Sequence, residues 1–331
     1  MTRQYPGLLG DHFCLEGRVT TIFFATDVHG SDICWKKFIN AGKFYNADII
    51  ILGGDMTGKA IVPIVHQGGD KYIATLLEQQ FELHGQEEVE QMIKQVKSRG
   101  YYPYVTNPDE IRELEQHPEK VDELFHQEVL KTVQAWMEYA DEKLEGTGIR
   151  CYVAPGNDDM FEIDDIIRAS KHVHLAEGEV IPLDDYHEMV SSGWSNITPW
   201  HTYREEEEPK LKERLESIVK KLSKPETAVF NFHVPPYNSN LDEAPELTPD
   251  LKPKLGGRAL IPVGSTAVRE IVEKYQPLLG LFGHIHEGKG TARIGRTLCI
   301  NPGSMYEQGR LLGAVITLNK GKIKSYLLTT G

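Results

Sequence analysis

With 331 residues the chain is long enough for one large domain, or for a core that carries an inserted subdomain. Its 49 acidic against 36 basic side chains give a formal net charge of −13. That disfavours nucleic acid and anionic membrane as partners, because both need a positive field, and leaves open a small phosphorylated substrate held by metal ions. The four cysteines (Cys14, Cys34, Cys151, Cys299) are far apart and form no C-x-x-C pair, so they read as buried thiols in a reducing compartment. No apolar run reaches about 18 residues, the length that would suggest a membrane span. The opening MTRQYPGLLGDHFCLEGR lacks the apolar stretch of a signal peptide. The expected location is therefore cytoplasmic.

In chain order, VTTIFFATD (19–27) is a β-branched and aromatic run, hence a buried strand. SDICWKKFINAGKFYN (31–46) has helical spacing after a possible cap at Ser31, and ADIIILGGD (47–55) is a second buried strand. This β-α-β opening predicts a layered α/β fold with covered sheets. Residues 58–149 then break the rhythm and read as a mostly helical insertion or cap within the single domain 1–331. The pattern allows a hairpin at Gly68-Gly69. From about 70 to 98 it is mainly helical, and 121–145 forms an amphipathic helix whose apolar stripe reads as the core of the insertion. The α/β rhythm resumes at GIRCYVAPGND, with a turn at Asp184-Asp185 between short strands. A helix follows the glutamates 205–208, which read as a solvated loop and helix start. The tail gives a strand at TAVFNFH, a helix at STAVREIVEKYQ, and strands at PLLGLFGH, GRTLCINPGS and 311–328.

Each buried strand exits into a potential metal ligand. These are Asp27 with His29, Asp55, Asn157, His233, and His284 with His286. Open α/β sheets build their sites at strand C-termini. The i, i+2 pairs aim two groups into one space while the chain stays extended, and the adjacent glycines permit sharp turns. Oxygen donors and imidazoles without thiolate suit Mn²⁺, Fe or Zn²⁺. Seven ligands exceed the need of one ion that keeps an open position, whereas two ions sharing a carboxylate would use them. Two ions can clamp attacking and leaving oxygens, and phosphate ester hydrolysis is the natural use.

The series D27-V-H29, G54-D55, G156-N157-D158, H233 and G283-H284-I-H286 resembles the calcineurin-like metallophosphoesterase superfamily in order and spacing. NPGS (301–304) also looks like the tail of many smaller members. The resemblance implies a four-layer α-β-β-α sandwich. It implies that Asp27, His29 and His286 hold one ion, that Asn157, His233 and His284 hold the other, and that Asp55 bridges. A metal-bridging hydroxide would then attack phosphorus, with phosphodiesters favoured over monoesters.

One position departs from that pattern. Many members carry histidine where this chain has Asp158, a carboxylate whose ordinary pKa of about 3.9 makes it a poor acid at neutral pH. Three readings stay open: Asp158 is an acid of raised pKa, another residue (His187, His201 or His66) acts, or the leaving group needs none. Asp159 reads as a turn or helix cap. Arg258, in a Gly-rich loop, and His201 are candidate substrate contacts beside Asn157. The rival readings are a phosphoesterase fold kept as a protein-interaction scaffold, disfavoured by the full ligand set, and a Mn²⁺-dependent nuclease, disfavoured by charge.

Overall fold

The computed structural model describes residues 19–331; Cys14 and the reading of the opening segment lie outside them. From its start the chain forms β1 (Thr20–Ala25), α1 (Asp32–Phe44) and β2 (Ile49–Leu52). Next come β3 (Ile61–Gly68), β4 (Lys71–Leu76), β5 (Gln79–His84), α2 (Gly85–Ser98), β6 (Tyr102–Thr106), α3 (Pro108–Gln116) and α4 (Pro118–Leu144). Then β7 (Arg150–Val153), α5 (Ile163–Ala169), β8 (Val173–Leu175), β9 (Val180–Pro182) and β10 (Glu188–Ser192) lead to a two-residue ribbon, β11 (Ser195–Asn196) with β12 (Glu205–Glu206). The last part holds α6 (Glu208–Val219), β13 (Val229–Phe232), the ribbon β14 (Glu243–Pro245) with β15 (Leu260–Pro262), and α7 (Thr266–Tyr275). Strands β16 (Leu279–Leu281), β17 (Gly290–Ile294), β18 (Thr297–Asn301), β19 (Leu312–Asn319) and β20 (Lys322–Thr330) complete it.

Two six-stranded sheets result, ordered β20-β19-β1-β2-β7-β8 and β17-β18-β16-β13-β10-β9. Alternation along the central strands explains how they stack. Ile22, Phe24, Ile49 and Ile51 point inward and meet Met189, Val229, Leu281 and Ile300 of the second sheet. Their neighbours Phe23, Ala25, Ile50 and Leu52 point outward, under α1, α4 and α5. Phe230, Phe232 and Val190 do the same under α6 and α7. A strand with two buried faces must be apolar at both parities, which is why these runs show no polar alternation. The expected four-layer sandwich is present. No helix among the described residues is long and apolar enough to cross a membrane.

The interval 58–149 differs from its sequence reading. The hairpin at Gly68-Gly69 exists as β3 and β4, but residues 79–84, within the stretch expected to be mainly helical, form β5. With β6 these strands make a four-stranded sheet, order β5-β4-β3-β6, covered by α2. Residues 79–84 are a short, mostly exposed edge run that leads straight into α2, so the helical count prevailed there. The stripe of α4 is not the core of this module either. Val129, Val133, Trp136, Met137 and Ala140 belong to the outer layer of the first sheet. The Trp136 ring stacks on Trp35 of α1, centroids 4.9 Å apart and 3° from parallel. Thus α4 is the crossover helix between the parallel neighbours β2 and β7.

The glutamates 205–208 are also mostly engaged. Glu205 accepts four bonds from Thr198 and Thr202. Glu206 pairs with Arg214, and Glu208 accepts from Ser265, Thr266 and Ala267 at the start of α7. A charge run in sequence hid three separate fastenings.

Candidate metal centre

The loops after β1 and β2 run side by side. The N–H groups of Asp27, His29 and Gly30 donate to the carbonyls of Gly54, Asp55 and Met56 at 2.7–3.0 Å. From the second sheet, His233 N–H donates to Ser192 O and Gly283 N–H to His233 O, both at 2.8 Å. These bonds align the strand ends within each sheet, and the His284 N–H, which donates to Asp27 Oδ1 at 3.0 Å, joins the two sheets there. The strand ends meet through sharp turns, because Asp27, His29, Asp55 and His284 all adopt positive φ, between 39° and 65°. Left-handed backbone costs about 1–3 kcal/mol at a non-glycine residue and persists only where surrounding contacts impose it. Close approach needs glycine at two neighbours. A Cβ on Gly54 would lie 2.2 Å from His233 Nδ1, and one on Gly156 would lie 2.1 Å from Asp55 Oδ1.

Six of the seven candidate ligands fall into two close groups, Asp27–His29–His286 and Asp55–His233–His284. His29 Nε2 lies 2.9 Å from His286 Nε2 and 3.5 Å from Asp55 Oδ2. His233 Nε2 lies 3.2 Å from the same Asp55 oxygen. Asp55 Oδ2 is therefore shared, while its Oδ1 accepts the Asp158 N–H at 3.0 Å.

The donor atoms suit divalent cations. His233 Nδ1 faces the Gly53 carbonyl at 3.1 Å, which leaves Nε2 to present a lone pair to the site. That Nε2, together with Asn157 Oδ1, is buried without a hydrogen-bond partner, and buried polar atoms rarely stay so. Asn157 is turned to expose this oxygen. Its amide nitrogen donates to Thr202 Oγ1 at 2.8 Å, and that hydroxyl donates to Glu205. The protein alone balances its carboxylates by protonation. Burial opposes charge on His233, but Asp55 and Asp27 outweigh it and hold the imidazole protonated up to about 10. Burial lowers His29 to about 3 and His284 to about 4. Asp27, despite burial, is held at about 2 by His286 and His233.

The remaining sequence candidates divide. Asp158 is at the site, its Oδ2 3.8 Å from His29 Nδ1. Burial and the charge of Asp55 push it up to about 6, so at pH 7 it is mainly ionised, and Lys59 lies 3.2 Å away. A raised value is what the acid reading expects, with a minority of Asp158 protonated at neutral pH. His201 is exposed, with no side-chain bond to the cluster, although the adjoining Thr202 holds Asn157. Arg258 is exposed in the loop before β15 and bonds to none of the cluster. His187 is buried elsewhere: Nδ1 meets Asp184 at 2.7 Å and Nε2 accepts from Gly321 N–H at 3.1 Å, so it fastens a turn. His66 bonds Gly69 O on the exposed hairpin. Asp159 closes the turn Gly156–Asp159, its N–H donating to the Gly156 carbonyl at 3.3 Å, and caps no helix. Fully buried, it accepts from the N–H groups of Met56, Thr57 and Gly156 and from the Thr57 hydroxyl.

Sequence reasoning passed over Lys59, Thr202, Arg204 and Tyr306. Arg204 is buried and donates to the carbonyls of Asp159 and Met160 and to Asp164. The Tyr306 ring packs 4.8 Å from His29. Only Tyr306 carried a signal, its place just after NPGS. That motif fixes the last ligands: Asn301 donates to the Gly283 and Ile285 carbonyls and Ser304 to the Asp27 carbonyl.

Comparison with known proteins gives a family and a fold. The description of the calcineurin-like phosphoesterase family matches residues 20–288. An uncharacterized protein of Methanocaldococcus jannaschii, MJ1162, is 31% identical over 150 residues, 45% of this chain and 61% of that protein. The match thus spans about three fifths of that relative's length. The solved structure of TT1561 from Thermus thermophilus covers 95% of this chain and 99% of its own, with TM-score 0.52 and 14% identity, a likeness of fold.

Proposed function

The chain belongs to the calcineurin-like phosphoesterase family, and on that premise we propose that it is a dinuclear metal-dependent phosphohydrolase acting on a small phosphate ester. The observation that carries this reading is the Asp55 carboxylate oxygen standing between His29 of one ligand group and His233 of the other. Asp27, His29 and His286 would hold one divalent ion, Asn157, His233 and His284 the second, with Asp55 common to both. Bound ions would supply positive charge for the phosphoryl oxygens and a water of lowered pKa. The residues themselves hold the site fixed: Thr202 and Glu205 orient Asn157, Asp159 ties the Asp55 and Asn157 loops together, and Tyr306 covers His29.

Phosphodiesters are the preferred class. Asp158, a carboxylate beyond the proposed ligand sets, would repel a dianionic monoester more than a monoanionic diester. The strand module β3–β6 restricts substrate size. Its base adjoins the site, since Ser31 Oγ donates to Ser98 O at 2.6 Å and Arg99 to Glu307 O at 3.2 Å.

The test is Mn²⁺-dependent hydrolysis of bis-p-nitrophenyl phosphate against p-nitrophenyl phosphate, with Asp55→Asn as control. Faster diester turnover that disappears in the variant is the expected result. No turnover of either ester by fully metallated protein would favour the scaffold reading instead.

A further inference from the structure

Lys59 stands at the mouth of the metal centre on a backbone with little freedom. The Gly58 N–H donates to the Tyr102 hydroxyl at 2.8 Å. A Cβ on Gly58 would lie 2.2 Å from the Gly100 carbonyl oxygen, so the chain is pressed against the module there. On the other side Thr57 is bonded through both N–H and hydroxyl to Asp159. From this mount the Lys59 ammonium reaches Asp158 Oδ2 at 3.2 Å; the lysine side chain is 51% exposed and the aspartate 19%. Asp158 is itself held, by its N–H on Asp55 Oδ1 and by the Asn157 amide on its Oδ1.

We propose that Lys59 is the substrate-phosphate clamp of this site and that Asp158 is its internal place-holder. An incoming phosphate oxygen takes the ammonium over from the Asp158 carboxylate. The inference rests on the phosphohydrolase reading. Its physical basis is an imbalance at the entrance. Asp158 adds a carboxylate beyond the proposed ligand sets, so an approaching phosphate ester needs a mobile cation beside it, and lysine offers a compact charge on a flexible stem. The lysine side of the pair is half exposed, so water and an incoming anion can reach the ammonium. The pair also keeps Lys59 aimed at the site before substrate arrives. Position 158, where the family resemblance leads one to expect histidine, would thus hold a carboxylate because the cation comes from the segment that enters the module.

Titration calorimetry of Mn²⁺-loaded protein with inorganic phosphate tests this, with metal content measured for every variant and KM and kcat taken on bis-p-nitrophenyl phosphate. Lys59→Met is expected to weaken phosphate binding by about 10- to 100-fold, the range of one hydrogen bond to a charged group. It should raise KM more than it lowers kcat and leave metal content unchanged. Lys59→Arg should retain most of the affinity. Asp158→Asn, which removes the competing anion, should tighten phosphate. Phosphate affinity within about twofold of the parent in Lys59→Met, or loss of metal in that variant, would overturn the clamp. Weaker phosphate binding in Asp158→Asn would overturn the place-holder. Parent protein that holds Mn²⁺ yet neither binds phosphate nor cleaves either nitrophenyl ester would overturn the functional reading, and the clamp with it.

Discussion

The strand module buries Val62, Ile64, Ala74, Leu83, Met92 and Val96 against one another, whereas α4, a short way further along the same interval, buries Val133, Trp136 and Met137 against α1 and the first sheet. Both lie between β2 and β7. One has a small core of its own and meets the main body near Gly58 and Gly100; the other is a layer of that body. An interval inserted in sequence is therefore not a unit in space. What decides membership is which core an apolar stripe fills.

The sharpest way to break this comparison is to remove the Trp136 ring. Trp136→Ala should destabilise the whole protein by about 3–5 kcal/mol, because the substitution leaves a large cavity beside Trp35. Denaturant unfolding should report a lower midpoint with an unchanged slope. Met92→Ala, in the module core, is expected to cost about 2 kcal/mol or more, felt as faster amide exchange in β3–β6 and α2 alone. An equal loss of protection in β1 and β2 would mean that the two regions unfold as one.

A deletion draws the same boundary. Replacing residues 62–98 with a Gly-Ser linker leaves Gly100 and Tyr102 to hold Gly58. This variant should fold, keep its metal content and accept bulkier diesters, as the module no longer limits access. Extending the deletion to 145 removes α4 and should prevent folding. Unchanged relative rates on small and bulky esters in the shorter deletion would refute the restricting role.

A further difference lies in pH. An ion pair of the module, such as Lys71–Glu82, is exposed and contributes little. In the main body His233 is raised from 6.5 to about 10 against the opposition of burial, by Asp55 and Asp27. A folded-state pKa above the unfolded value stabilises fully below about 6.5 and is lost as pH rises through about 10. Metal-free protein should therefore lose melting temperature between pH 7 and 10, while the Mn²⁺-loaded form, in which a cation replaces the proton, should lose less. A steady melting temperature for metal-free protein across that range would argue against this charge arrangement.

The sandwich was legible because its strands are apolar at both parities and end in polar residues. The metal cluster was legible for the same reason: Asp27, Asp55, Asn157, His233 and His284 each follow a strand closely. What escaped were interactions whose partners lie far along the chain. Lys59 meets Asp158, Thr202 holds Asn157, and Asp159 reaches back to Met56 and Thr57. No local period encodes such pairs. Strand β5 escaped because a short, exposed edge strand leaves little pattern to read.

Strand β1 lies between β2 and β19, paired from Thr20↔Leu318 to Phe24↔Ala314. During synthesis β2 is available almost at once, but the opposite edge of β1 must wait for nearly the whole chain. Contacts so distant in sequence form slowly, and an open strand edge meanwhile offers itself to other chains. A nascent chain halted before residue 312 already carries every candidate metal ligand, yet it lacks the strand that closes the sheet behind Asp27 and His29.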